Sequence, residues 1–192
     1  AIRPEAWIIL DAAISNGIQI GVDATLDGWM LLSGTESLPP AILATFREAA
    51  ELQASVFPAL VFLESMAALG VAWWARTRFL GEGDQGLGPL HEFRFNDHLV
   101  WVLVAGLVLV LMQFGEAFAR VGSNAVVFMG GLYAMRGVAV FMFISGGLSL
   151  FGFVMFCLGI VLAAPLVLGI AVLVGVGDTW LDLRSRVRQL TA

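Results

Sequence analysis

Gly122-Ser-Asn-Ala-Val-Val-Phe-Met-Gly-Gly-Leu-Tyr-Ala-Met-Arg-Gly-Val-Ala-Val-Phe141 sets one arginine, Arg136, inside a run otherwise apolar enough to enter a bilayer. A guanidinium at membrane depth costs between about 2.5 and 17 kcal/mol by different measures, so such a residue faces protein or a wet cavity. The stretch therefore demands other helices around it. Its glycines suit that demand, since Gly130 with Ala134 makes a small-xxx-small face for close helix contact, and Gly131 and Gly137 lie beside it.

The whole chain has the matching composition. Hydrophobic residues make up 59% and charged ones only 13%, and the mean hydropathy is +0.91, whereas a soluble domain carries about a quarter charged residues. The fold class expected is all-α, a polytopic helical membrane bundle. The ten basic residues are all arginines, three of them at the C-terminal end, and seven of the fifteen acids precede Gln53. The net charge of −5 thus says less about partners than the distribution says about topology. Cys157 is the single cysteine, so neither a disulfide nor a thiolate metal site is expected. The chain opens at Ala1 with no signal-peptide pattern, and we expect a fragment of a longer membrane protein.

On the N-terminal side, residues 1–50 read as amphipathic surface helices and residues 51–192 as the transmembrane bundle. Trp7, Ile14, Ile18, Val22 and Trp29 recur at helical spacing, with Asn16, Asp23 and Asp27 opposite. A turn-rich break, Ser33 to Pro40, precedes a second amphipathic helix from Ala41. That helix runs on into a crossing from Val56 to Trp74, with a bend expected at Pro58. Trp73, Trp74, Arg76 and Arg78 mark an exit on the cytoplasmic face. After a glycine-rich loop, a second crossing is expected from Trp101 to about Phe118. His91, Glu92, Asp97 and His98, just before it, match no metal-binding spacing and read as a solvated loop.

The third run, about Val121 to Ile144, has Ser123 or Asn124 placed to cap it. The fourth extends from about Leu148 to Val176, interrupted by Pro165, and ends in Trp180 and the cluster Arg184, Arg186 and Arg188, a short helix anchored on the cytoplasmic face. Three or four spanning helices plus amphipathic interfacial helices result. The arginines conflict with that count: if Arg76, Arg78 and Arg94 are inside, three further crossings place the C-terminal arginines outside.

Five polar residues in the apolar runs are candidates for an intramembrane polar or substrate site: Glu64, Glu116, Asn124, Tyr133 and Arg136. Glu116 and Arg120 stand four apart with the acid first, the favourable order for a helical pair. Glu64, isolated near the middle of the first crossing, must be protonated or paired. Either a structural ion pair or a ligand or proton site satisfies that requirement. Arg136 is expected to pair with Glu64 or, failing that, with Glu116.

Three motifs together resemble the C-terminal part of the YybS-like family of bacterial polytopic membrane proteins. They are Glu92-Phe-Arg-Phe-Asn-Asp-His-Leu-Val-Trp101, the pair Asn124 and Tyr133-Ala-Met-Arg-Gly-Val-Ala-Val140, and Gly177-Asp-Thr-Trp-Leu-Asp-Leu-Arg184. The family is similar to the substrate-capture components of energy-coupling-factor vitamin transporters. The resemblance implies a helical bundle in the bacterial cytoplasmic membrane with a small-molecule site between helices. No nucleophile elbow, catalytic acid pair, HExxH or phosphate loop occurs, so neither an enzyme nor a bound cofactor or metal is expected. The partners expected are the lipid bilayer and a small-molecule substrate or a membrane protein, with no nucleic acid. The alternative to a transporter component is a non-enzymatic membrane scaffold or assembly subunit.

Overall fold

The fold is seen in a computed structural model that describes residues 4–34, 38–80, 92–112, 114–146 and 150–191. Seven α-helices and no strand occur among the described residues. They are α1 (Pro4–Ser33), α2 (Pro40–Ser55), α3 (Phe57–Leu80), α4 (Val100–Leu111), α5 (Glu116–Ile144), α6 (Leu150–Leu181) and α7 (Leu183–Thr191), with a 3-10 turn, Asp97–Leu99, leading into α4. Two helices, Glu116–Ile144 and Val154–Leu181, are long and apolar enough to cross a membrane. A third span is counted if α2 and the first part of α3 are taken together. The chain is an all-α helical membrane bundle.

It divides into two compact units, Ala1–Pro58 and Ala59–Ala192. In the first, α1 and α2 pack on one another and Leu26 and Ala50 are buried. The single bent helix expected through Pro58 is instead two helices, broken at Val56. Pro58 falls in the first turn of α3, where its missing N–H leaves no intrahelical bond unmade.

The second unit is built on α5, which packs against α4 and against α6. Glycines set both approaches. A Cβ on Gly122 would lie 2.7 Å from the Gly106 carbonyl oxygen of α4. One on Gly137 would meet the Ala171 carbonyl, and one on Gly175 the Tyr133 carbonyl, at 1.9 and 2.0 Å. Backbones this close are a feature of membrane helix pairs, where small residues let dispersion contacts form without a hydrophobic driving force. Val100, Met129, Leu132 and Tyr133 form the buried apolar cluster, with Phe95, Leu99, Val172 and Val176 packed on it.

The second crossing expected from Trp101 to Phe118 is not one helix. α4 ends after 12 residues, about 18 Å at 1.5 Å per residue, against about 30 Å of hydrocarbon. The chain then turns at Gly115, whose φ of +124° favours glycine, and Glu116 opens α5. Glycine breaks the helix there, although hydropathy continues across it. α6 is also interrupted: Ala163 has φ −147° and ψ 45°, two residues before Pro165. Proline removes an N–H donor and its ring clashes with the preceding turn.

Candidate functional site

Tyr133 and Arg136 stand three apart on α5, and so on one face. Both are 0% exposed. Arg136 Nε donates to Asp178 Oδ2 on α6 at 3.0 Å, and its Nη1 donates to Asp97 Oδ1 of the 3-10 turn at 2.6 Å. Asp178, itself 0% exposed, also accepts from Arg184 Nη2 of α7 at 2.8 Å, and its Oδ1 accepts the Leu183 N–H at 3.1 Å. Two arginines and two aspartates therefore meet in one charge-matched cluster. Matching of this kind makes a buried arginine tolerable, because a lone buried charge costs far more than a paired one.

Local backbone chemistry aims each member. Asp182, with φ +40°, adopts a left-handed conformation that aspartate tolerates better than most residues, and this turn joins α6 to α7. The Asp178 carboxylate receives the first N–H of α7, one of the orphan donors of a helix start. Arg184 Nη1 also donates to the Phe93 carbonyl at 3.1 Å, tying α7 to the segment before α4. On that segment the Asn96 side chain accepts the His98 N–H at 3.0 Å, closing the turn that carries Asp97. Phe95 lies edge-on to Tyr133 with ring centroids 5.0 Å apart, and the Arg136 guanidinium sits 5.5 Å from the Phe95 centroid, within cation–π range.

Outside this cluster lies a second, exposed ring of charge. Arg94 Nη2 is 3.1 Å from Asp182 Oδ1, Arg188 Nη2 is 3.9 Å from Glu92 Oε1, and the Arg188 guanidinium stands 5.1 Å from the Phe143 ring centroid. Glu92, Arg94, Asp182, Arg184, Ser185 and Arg188 line a polar cleft of about 260 Å³. Arg184 belongs to both layers.

Of the five candidate residues, Tyr133 and Arg136 enter the cluster and the others do not. Arg136 pairs with Asp97 and Asp178 instead of Glu64 or Glu116. Glu116 precedes it by twenty positions on the same helix, about 30 Å along the axis, so the two lie at opposite ends of α5. Glu64 is exposed on α3, next to Leu63, which packs on Gly131. Asn124 lies inside α5 and so does not cap it. Its Oδ1 accepts the Ala59 N–H at 2.9 Å and its Nδ2 donates to the Arg120 carbonyl at 2.9 Å. It caps the start of α3 from a position about 18 Å along α5 from Arg136.

Asp97 is half-exposed yet holds the buried guanidinium, which corrects the solvated-loop reading at that position. His91 lies outside the described residues. Among the described residues no three His, Cys, Asp or Glu side chains are grouped to hold a metal ion. Asp178 and Arg184 are not among the five candidates because they sit at the end of an apolar run among interface residues, where Arg184 reads as a membrane-surface anchor. A buried cation needs an acid, however, and the acids within the three quoted motifs were the signal. Tyr133 Oη, Arg136 Nη2 and Thr179 Oγ1 are buried with no hydrogen-bond partner among the described residues.

The cluster joins Asp97 from the first motif, Tyr133 and Arg136 from the second, and Asp178 and Arg184 from the third, stretches far apart in the chain. No curated protein and no solved structure matches the sequence. A family model described as predicted membrane protein, DUF2232, matches residues 10–179, a range that takes in all of these residues except Arg184. With most of its length matched and its apolar helices arranged around a paired arginine, the chain belongs to the DUF2232 family of predicted membrane proteins.

Proposed function

We propose that this membrane protein is the small-molecule-binding component of a transport system in the bacterial cytoplasmic membrane. The observation that carries the reading is Arg184, which lines the polar cleft and is also bonded to the buried Asp178–Arg136 pair. A ligand engaging the cleft therefore acts on the contact that ties α5, α6 and α7 together. Such a linkage suits a capture subunit, in which binding must be felt by the helices. The same motifs resemble the YybS-like family, whose similarity to substrate-capture components supports the reading. The side chains gathered here bind charge, and we assign them no catalytic step.

A second reading, a non-enzymatic scaffold for other membrane proteins, is favoured by the exposed apolar surface of α6, where Val161, Leu162, Leu166 and Leu173 are each at least 64% exposed. Native mass spectrometry of the full-length protein in nanodiscs separates the two. A small molecule retained by the wild type and lost from Arg94→Gln/Arg188→Gln, with the melting temperature unchanged, is the expected result. A ligand-free protein recovered in stoichiometric complex with another membrane protein would favour the scaffold.

A further inference from the structure

The cleft's lining identifies the chemistry of its occupant. It holds three guanidinium groups, two carboxylates and one hydroxyl; Arg184 is already matched by Asp178 in the buried cluster, so the two exposed arginines face the two carboxylates. Arg184 is fixed: it is 4% exposed, with Nη1 on the Phe93 carbonyl and Nη2 on Asp178. Arg94 and Arg188 stand in exposed ion pairs. Arg94 and Asp182 are each 46% exposed at 3.1 Å, and Arg188 and Glu92 are more than half exposed at 3.9 Å. Exposed pairs of this kind contribute about 0–1 kcal/mol. A stronger anion therefore displaces Glu92 and Asp182 from their arginines at small loss, and both carboxylates can turn into water.

Two further observations narrow the anion. The volume of about 260 Å³ falls just below the range of about 300–1,000 Å³ typical of pockets that enclose drug-sized ligands, so the cleft suits a compact charged group more than a whole cofactor. Its lining residue Asp182 directly follows the apolar span Val154–Leu181, two positions after Trp180, which is 68% exposed. Tryptophan favours the depth of the lipid headgroups, and a planar arginine fork matches phosphate oxygens in pairs.

We propose that this cleft is a phosphate-binding site, in which Arg94 and Arg188 hold the phosphate of a mono- or diester over the fixed Arg184, and the Ser185 hydroxyl lies within the same lining. The proposal rests on reading the cleft as a ligand site. The phosphate arrives either on an anionic lipid headgroup or on a soluble ester, and the chemistry of capture is the same.

The test uses the full-length protein in nanodiscs of neutral phosphatidylcholine. Its melting temperature is followed during titration with inorganic phosphate, with chloride at matched ionic strength as control, and again in discs containing phosphatidic acid. Arg94→Gln/Arg188→Gln is measured in parallel, since neither residue belongs to the buried cluster. At least one phosphate source should raise the melting temperature of the wild type by about 5 °C near saturation, and the double variant should need roughly tenfold more of it. A response to inorganic phosphate identifies a soluble ester, and a response confined to phosphatidic acid identifies a headgroup. No response to either source, or an undiminished response in the double variant, overturns the phosphate site. A variant-sensitive response in a protein that captures no soluble molecule leaves the phosphate site standing and removes the transport reading. A captured ligand with no phosphate response does the reverse.

Discussion

The two halves of α6 are equally helical and comparably apolar, and both expose leucines, yet the second half also carries a face that packs on α5. Before the interruption at Ala163 the helix is mostly exposed, with Val154, Leu158, Val161 and Leu162 between 46% and 80% accessible. After Pro165 it gives Gly175 to a backbone contact with Tyr133 and Asp178 to the arginine cluster. In an apolar solvent hydrophobicity does not distinguish a packed surface from a lipid-facing one, because leucine gains little by leaving lipid for protein. Small residues and one paired charge make the difference. The kink separates a half that has these features from one that meets mainly its surroundings.

The sharpest way to break that comparison is to remove the anchor of the packed half. Arg136→Met leaves Asp178 buried with Arg184 as its remaining cation and should cost about 3–5 kcal/mol, a fall of roughly 6–20 °C in melting temperature in detergent. Asp178→Asn should fall by a similar amount, and Glu64→Gln should not change the value. An Arg136→Met protein that melts with the wild type would mean that the cluster does not hold the helices together.

Glycines test the two halves against each other on a smaller scale. Gly175→Ala places a methyl 2.0 Å from the Tyr133 carbonyl oxygen, and the forced separation should cost about 1–3 kcal/mol. Gly159→Ala in the exposed half meets only a Val167 methyl at 3.3 Å, which a small rotation relieves. Its melting temperature should stay within experimental error of the wild type, and equal losses at both sites would erase the distinction. The smallest effect is expected at Tyr133→Phe. The hydroxyl is buried without a partner among the described residues, so its removal should be neutral or gain up to about 1 kcal/mol. A loss would show that the hydroxyl makes a bond on which the packed half depends.

Much of this architecture is legible in the sequence. Composition gives the membrane bundle, Pro39 and Pro40 mark the start of α2, and the burial of Arg136 follows from the cost of leaving it in lipid. The identity of its partners does not follow, because pairing is a long-range matter. Glu64 looked suitable because it sits in an apolar run at matching depth, whereas Asp97 and Asp178 sit at interfaces and reach Arg136 only once the turns at Asn96 and Asp182 have formed. The Gly115 turn was missed for a related reason. Hydropathy averages over many residues, and one glycine at positive φ divides a run that such averaging joins.

The contact between the segment before α4 and the start of α7 sets two groups of arginines side by side. Arg94 touches Asp182 and Arg184 touches the Phe93 carbonyl, so both basic segments open onto one compartment. The number of full crossings between them is then even: α4, at 12 residues, is too short to be one, which leaves α5 and α6. Both basic segments can then obey the positive-inside rule together.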